Sequence, residues 1–378
     1  MAKKKKHHFV PRFYLRNFSL DFKGSKISLF NLPMSKYVFC ANLYDQAYKN
    51  YFYGKDLIIE NALADLEKEA SKIVNRILEN SLPRSGSDEH YILLAFTLLL
   101  RERTVYAADR LNEFFGKTLK SIASEDPEAL PKTDRFNFAL TQSVQEALAI
   151  MASMIPLALD LRFKLIINQS NEAFITSDHP VVFYNQFFEP KKIPGGKIGI
   201  ASKGLEIFLP LSPTHLLIFF DSDVYKIGTK NSTIIYVNDK KDVEQLNILQ
   251  CVNCDKNLYF NQDIKEGQVR QLAKKSLRFR QQAKADIEKY LQRNAEKGQA
   301  MLLWTHMSEL NCSLKLSFIS FVKKARKFSP GNKVVHLRDE GSVGRYLGFQ
   351  DEIESLIEKG QYERGDFLKF VHDVIDTD

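Results

Sequence analysis

Leu205-Glu-Ile-Phe-Leu-Pro-Leu-Ser-Pro-Thr-His-Leu-Leu-Ile-Phe-Phe220 is two strand-like runs joined by a turn. Each run is rich in aromatic and branched residues, and Pro210-Leu-Ser-Pro213 between them leaves no room for a crossover helix. Two strands joined so tightly are antiparallel. The same pattern spreads outward: Arg162-Phe-Lys-Leu-Ile-Ile167, Ala173-Phe-Ile-Thr176, Val181-Val-Phe-Tyr184 and Ile234-Ile-Tyr-Val237 are further runs. Asp239 to Cys254 reads as a helix and Leu258 to Asn261 as a last short strand.

Towards the N-terminus the period lengthens. Ile59, Ala62, Leu63, Leu66, Ala70, Ile73, Val74 and Ile77 recur at three- and four-residue steps, which predicts a helix over Leu57 to Asn80. Ser87 has the character of an N-cap with Asp88 and Glu89 in the first turn, and the helix it starts is expected to run to about Phe115. Another helix is predicted from about Asp134 to Leu157. A hairpin precedes them all, Lys26-Ile-Ser-Leu-Phe-Asn31 and Tyr37-Val-Phe-Cys40, broken at Pro33. Helices in one run and strands in another predict an α+β protein: N-terminal helices packed on a mainly antiparallel sheet.

The C-terminal third differs in charge. Net charge is +8, yet Lys265 to Lys297 alone holds ten basic against four acidic residues. Val269, Leu272, Ser276, Phe279, Ala283, Ile287 and Tyr290 make an apolar seam there, so Gln268 to Gln292 is expected as a basic amphipathic helix. Arg270, Lys274 and Arg278 stand at i, i+4 and i+8 and form a row suited to phosphates, or a merely solvated face. The expected organisation is a domain over residues 7–265, then this helix and a small C-terminal appendage over 266–378.

Four cysteines in 378 residues make no disulfide framework. The opening lacks an apolar leader, and the longest apolar run, about ten residues near Tyr91 to Leu100, is too short to span a bilayer. A cytoplasmic protein without membrane partners is the expectation. Cys251 and Cys254 form the one C-x-x-C and read as core cysteines, because zinc needs two more suitably spaced ligands. No P-loop, dinucleotide-binding glycine pattern, G-x-S-x-G or H-E-x-x-H occurs.

His7-His-Phe-Val-Pro-Arg-Phe-Tyr-Leu-Arg-Asn-Phe18 resembles the opening signature of the domain-of-unknown-function family DUF4238. Leu66-Glu67, Leu100-Arg-Glu-Arg103, Ile175-Thr-Ser-Asp-His-Pro180, Pro210-Leu-Ser-Pro213 and Leu246-Asn247 are similar to its later blocks, in the same order. The resemblance covers about residues 7–265 and implies membership but no activity.

Those blocks contain the candidate site residues His8, Glu67, Arg103 and Asp178. Asp178 lies at a strand end, beside an extended His179 that precedes Pro180; turn chemistry is the plain alternative. Glu67 flanks the apolar stripe about 80° from its centre, as a half-buried base or as an ordinary rim carboxylate. Arg103 lies on the flank of its helix's apolar face, whereas Arg101 is expected to point away. A half-buried Arg103 needs an anion, either a ligand phosphate or Glu67 itself. His8 is either a member of the site or a packed histidine.

Acid, base and arginine together suit cleavage of a phosphodiester, most plausibly RNA. The carboxylates with His8 or His179 leave a divalent metal open as cofactor. The competing readings are a non-catalytic nucleic-acid- or protein-binding module with a structural polar cluster, and a toxin-like or antiviral effector that docks a partner through its C-terminal region.

Overall fold

The computed structural model describes residues 5–21, 24–125, 140–191, 197–280, 283–294, 298–307, 310, 312–330 and 336–360. The leading segment forms β1 (Lys6–His8) and a short helix α1 (Arg12–Arg16) that Pro11 starts. The predicted hairpin follows as β2 (Lys26–Asn31) and β3 (Lys36–Asn42). β4 (Tyr48–Asn50) then returns antiparallel to β1.

α2 (Ile58–Leu78) buries the predicted stripe, including Leu63, Leu66, Ala70, Ile73, Val74 and Ile77. α3 (Asp88–Glu102) starts at Ser87, whose hydroxyl accepts the His90 N–H at 3.4 Å. It does not continue to Phe115. The helix breaks at Arg103 and Thr104, and α4 (Val105–Glu125) begins afresh. Thr104 causes the restart: its hydroxyl accepts the Ala107 N–H at 3.2 Å, and such local side-chain bonds compete with helix continuation. α5 (Leu140–Met154) ends in a 3-10 turn, Ile155–Ala158, around Pro156. The expected start of that helix at Asp134 lies outside the described residues.

The strands follow as β5 (Arg162–Asn168), β6 (Thr176–Ser177), β7 (Val182–Tyr184), β8 (Glu206–Pro210), β9 (His215–Phe220), β10 (Tyr225–Ile227) and β11 (Ile234–Val237). Asp239 caps α6 (Lys240–Asn253), and β12 (Asn257–Phe260) comes next. One sheet has the order β11-β5-β9-β8-β7, antiparallel except where β11 meets β5. A second, β3-β2-β12-β6, joins the N-terminal hairpin to strands more than a hundred residues later.

Both faces of the larger sheet are covered. Leu165, Ile207, Leu209, Leu217 and Phe219 pack into the core with α2, α3 and α5. Ile166, Phe208, Leu216, Ile218 and Phe220 pack into a second core with α6 and the later chain. This is why the strands read as apolar runs without alternation. Each such side chain contributes about 1.5–3 kcal/mol by leaving water.

The basic segment departs from expectation. α7 (Glu266–Ser276) is amphipathic but ends early, in a 3-10 turn over Leu277–Phe279. β13 (Ala285–Asn294) then pairs antiparallel with β14 (Gly298–Met307). Arg280 anchors the point where the helical path is abandoned: its guanidinium donates to the carbonyls of Cys251, Cys254 and Asp255. The helical spacing of Ala283 and Ile287 is therefore coincidental. β15 (Ile319–Phe321) pairs with β10, followed by α8 (Lys323–Arg326) and α9 (Glu340–Glu358). Leu314, Leu316 and Ala325 join the second core, and buried Arg338 pairs with Asp160 at 2.6 Å. The region expected as an appendage thus shares a core with the sheet.

Candidate functional site

Arg103 is a hub. It ends α3 facing inward, with its side chain 3% exposed. Its Nε donates to the Tyr53 hydroxyl at 3.1 Å, Nη1 to Glu67 Oε1 at 2.7 Å and Nη2 to the His8 carbonyl at 2.9 Å. Burial opposes its charge, but Tyr53 and Glu67 outweigh that and hold its pKa above the ordinary value. The hub joins three of the four candidates, and every side-chain nitrogen has a protein partner.

His8 reaches the hub through its backbone alone. Its ring Nε2 bonds the Tyr44 carbonyl at 3.0 Å, and burial lowers its pKa. His7 is the side chain that goes inside: it is fully buried, stacks on Tyr53 at 5.7 Å and accepts the Tyr53 N–H at 3.2 Å. Successive side chains of a strand take opposite faces, so only one of the two histidines can turn inward.

Asp178 makes its hydrogen bonds elsewhere, to residues that follow α6. Oδ1 accepts the Asp255 N–H at 2.9 Å and the Cys254 thiol at 3.4 Å, while Oδ2 accepts the N–H groups of Lys256 and Asn257, both at 2.9 Å. It fastens the turn from α6 into β12. The turn expected to satisfy Asp178 through nearby N–H groups is not what holds it: its donors lie on a segment far along the chain, and locally it is the Ser177 hydroxyl that accepts the His179 N–H at 3.1 Å. Burial, then the Asp255 carboxylate, push Asp178 up to about 6 against those donors. It also lines a cavity of about 230 Å³ with Asp45, Lys49, Tyr106, Lys256 and Tyr259.

A cluster not anticipated from sequence lies at the α3–α4 break. Arg101, expected to point away, is 4% exposed. Arg101 Nη1 and Arg110 Nη2 each donate to one oxygen of Glu102. The Arg101 guanidinium also lies 4.1 Å from the Phe183 ring centre. Burial and then the Arg110 charge push Arg101 down to about 10. Burial opposes the Glu102 charge, but the two arginines hold its carboxyl below the ordinary range. His179 closes the cluster: fully buried, it bonds Thr104 Oγ1 through Nδ1 at 2.8 Å and stacks on Tyr106 at 4.5 Å. Burial, then Arg101, Arg110 and Lys284, hold its pKa well below the ordinary value, so the ring is neutral. The available signal was the pair of blocks Leu100–Arg103 and Ile175–Pro180, which meet here.

Arg270, Lys274 and Arg278 are all exposed. Arg270 bonds Glu266 at 2.6 Å and the Ser35 carbonyl at 2.9 Å. Lys274 and Arg278 line a groove of about 760 Å³ between α6 and α7, with Lys241, Glu244, Gln271 and Lys275. Cys251 and Cys254 are both buried, and burial pushes the Cys251 thiol up to about 12. Among the described residues, no group of three or more His, Cys, Asp or Glu side chains is placed to hold a metal, and no helix is long and apolar enough to cross a membrane.

No curated protein and no solved structure matches the chain. Residues 6–264 match a family model described as Protein of unknown function (DUF4238). The match spans the Arg103 hub, the Asp178 clasp, and Arg101, Glu102, Arg110 and His179, and the chain belongs to that family.

Proposed function

We propose that the protein is a nucleic-acid-binding module that holds a phosphate backbone in the groove between α6 and α7. One observation carries the reading: Lys241, Lys274, Lys275 and Arg278 line an open groove against the single carboxylate of Glu244. Lys275 pairs with Glu244, which leaves a local excess of positive charge beside it. Polyanions are drawn to such a surface by counterion release, without reading sequence.

The test is binding of a labelled single-stranded RNA over a series of salt concentrations. Affinity should fall steeply with salt, and Lys274→Gln with Arg278→Gln should reduce the slope of log affinity against log salt by about 1.4 if each contacts one phosphate of the single strand. Both positions are exposed, so the fold should be unaffected. An unchanged slope, or no binding by the natural chain at low salt, sinks the reading.

Cleavage of the bound strand is the second reading, favoured by Asp178, a cavity-lining carboxyl raised to about 6 and so poised for proton transfer near neutral pH. RNA and DNA incubated with the protein, with and without chelator, separate metal-free from metal-dependent chemistry. Asp178→Asn, Glu67→Gln and His8→Ala should each lower cleavage by about 10²–10⁴ if they serve as acid or base. Intact substrates under both conditions would leave binding alone.

A further inference from the structure

Tyr259 is fully buried, yet its hydroxyl makes no hydrogen bond. Burial, then the Asp178 charge, hold its pKa well above the ordinary value. The Asn257 side chain and the Ala47 N–H act the other way, so donors face this oxygen, but neither completes a bond to it. What the hydroxyl lacks is an acceptor for its own proton.

The groups around that hydroxyl are the walls of one cavity. Ala47, Asp178, Asn257 and Tyr259 itself line the space of about 230 Å³ between β4, the start of α4 and the turn from α6 into β12. At about 30 Å³ per water this is room for about seven waters, hence for one small ring and not for a drug-sized ligand.

Charge and polarity narrow the class of ligand. Asp45, Asp178 and Asp255 in the walls stand against Lys49 and Lys256, while Lys6 pairs with Asp45 at 2.6 Å and Lys284 with Asp255 at 3.6 Å. Asp109 also takes Lys284, at 3.1 Å, so four acids balance four bases and the cavity favours a neutral guest. Its walls alternate acceptors, the carboxylates, with donors, the two lysines and the Tyr259 hydroxyl. Hydroxyl groups suit such walls because each donates and accepts at once. A flat base would need an open ring to stack on, but Tyr106 already holds His179 at 4.5 Å and Lys284 at 4.6 Å, and Lys6 lies 4.3 Å over Tyr48.

We propose that this cavity binds a neutral monosaccharide, with the Tyr259 hydroxyl donating to one sugar oxygen and the Asp255 carboxylate accepting from a sugar hydroxyl. The inference goes beyond both readings above: a chain that neither binds nor cuts nucleic acid can still hold a sugar.

Saturation-transfer NMR on the full chain tests it, with glucose, galactose, mannose and ribose as separate probes and adenine as a planar control. At least one sugar is expected to give transfer. Tyr259→Phe removes a hydroxyl that has no partner in the fold, so it should fold as well as the natural chain and bind that sugar about fivefold more weakly, or worse. Gln46→Trp, at a half-buried position in the lining, should fill the cavity and abolish transfer. In the natural chain with carbon-13-labelled tyrosine, the sugar should also move the Tyr259 ring signals. The proposal is overturned if none of the sugars gives transfer, whether or not adenine does. It is equally overturned if a folded Tyr259→Phe binds as tightly as the natural chain. Should that variant not fold, the ring signals of the natural chain decide, and signals that stay in place overturn it.

Discussion

Arg103→Met is expected to lower the stability of the fold by about 3–5 kcal/mol, the usual cost of breaking a buried ion pair from one side. Methionine fills much of the volume but donates nothing. Glu67, the Tyr53 hydroxyl and the His8 carbonyl each lose a donor, and with them goes the tie between β1, α2 and the end of α3. Glu67 has a side chain 25% exposed, so water relieves part of its loss and the lower end of the range is the better figure. Glu67→Gln keeps an acceptor for Arg103 but removes the carboxylate charge, so it should cost less than Arg103→Met, about 1.5–3 kcal/mol. Urea unfolding of the two variants measures both. A midpoint for Arg103→Met equal to that of the natural chain would show that the hub is not structural, and would return Arg103 to the list of ligand-binding groups.

The second large effect is a pH dependence that Glu206→Gln should remove. Glu206 lies on β8, fully buried, and accepts the Gln186 N–H at 3.1 Å and the Gln186 side-chain amide at 3.0 Å. Burial pushes its carboxyl from the ordinary 4.5 up to about 8. The folded chain therefore keeps a proton that the unfolded chain releases. Stability from this group is fully present below about pH 4.5, declines as pH rises, and is lost once pH passes about 8. The full loss is at most about 5 kcal/mol. Glutamine cannot ionise, so between pH 5 and pH 9 the natural chain should lose several kcal/mol that the variant retains. Asp178 and Asp221 are raised in the same direction by burial, which leaves a smaller residual slope in both. Parallel stability curves for the two proteins would mean that Glu206 is ionised in the fold.

How much of the candidate site was legible follows from where each partner sits. Glu67 and Arg103 carried a readable signal, because each flanks the apolar face of its own helix and a charge there needs a partner. Asp178 was expected as a turn residue, since Asp before His-Pro favours one, but Ser177 makes the local bond and Asp178 does not. Its actual donors, at Asp255 to Asn257, were not readable, because nothing in Thr176 to Pro180 names a segment more than seventy residues away. Arg101 was misread for a related reason. Helical position places it off the apolar stripe, but Glu102 and Phe183 give it a buried partner and a ring to lie over.

By itself the sequence determined whatever repeats within a few residues: the stripe of α2, the Ser87 cap, the β2–β3 hairpin, the apolar runs of β5, β8 and β9, and the exposed Arg270 and Lys274 of α7. Those features are set by the geometry of one element and hold wherever it packs. Tertiary structure alone decided that His7 turns in and His8 out, that Thr104 divides α3 from α4, and that Ala285–Asn294 is a strand although part of it has helical spacing. It also brought Arg101, Arg110 and His179 together. Each of these outcomes depends on a hydrogen bond, an ion pair or a strand partner supplied by another part of the chain, and the periodicity of one segment carries no record of which neighbour it will meet.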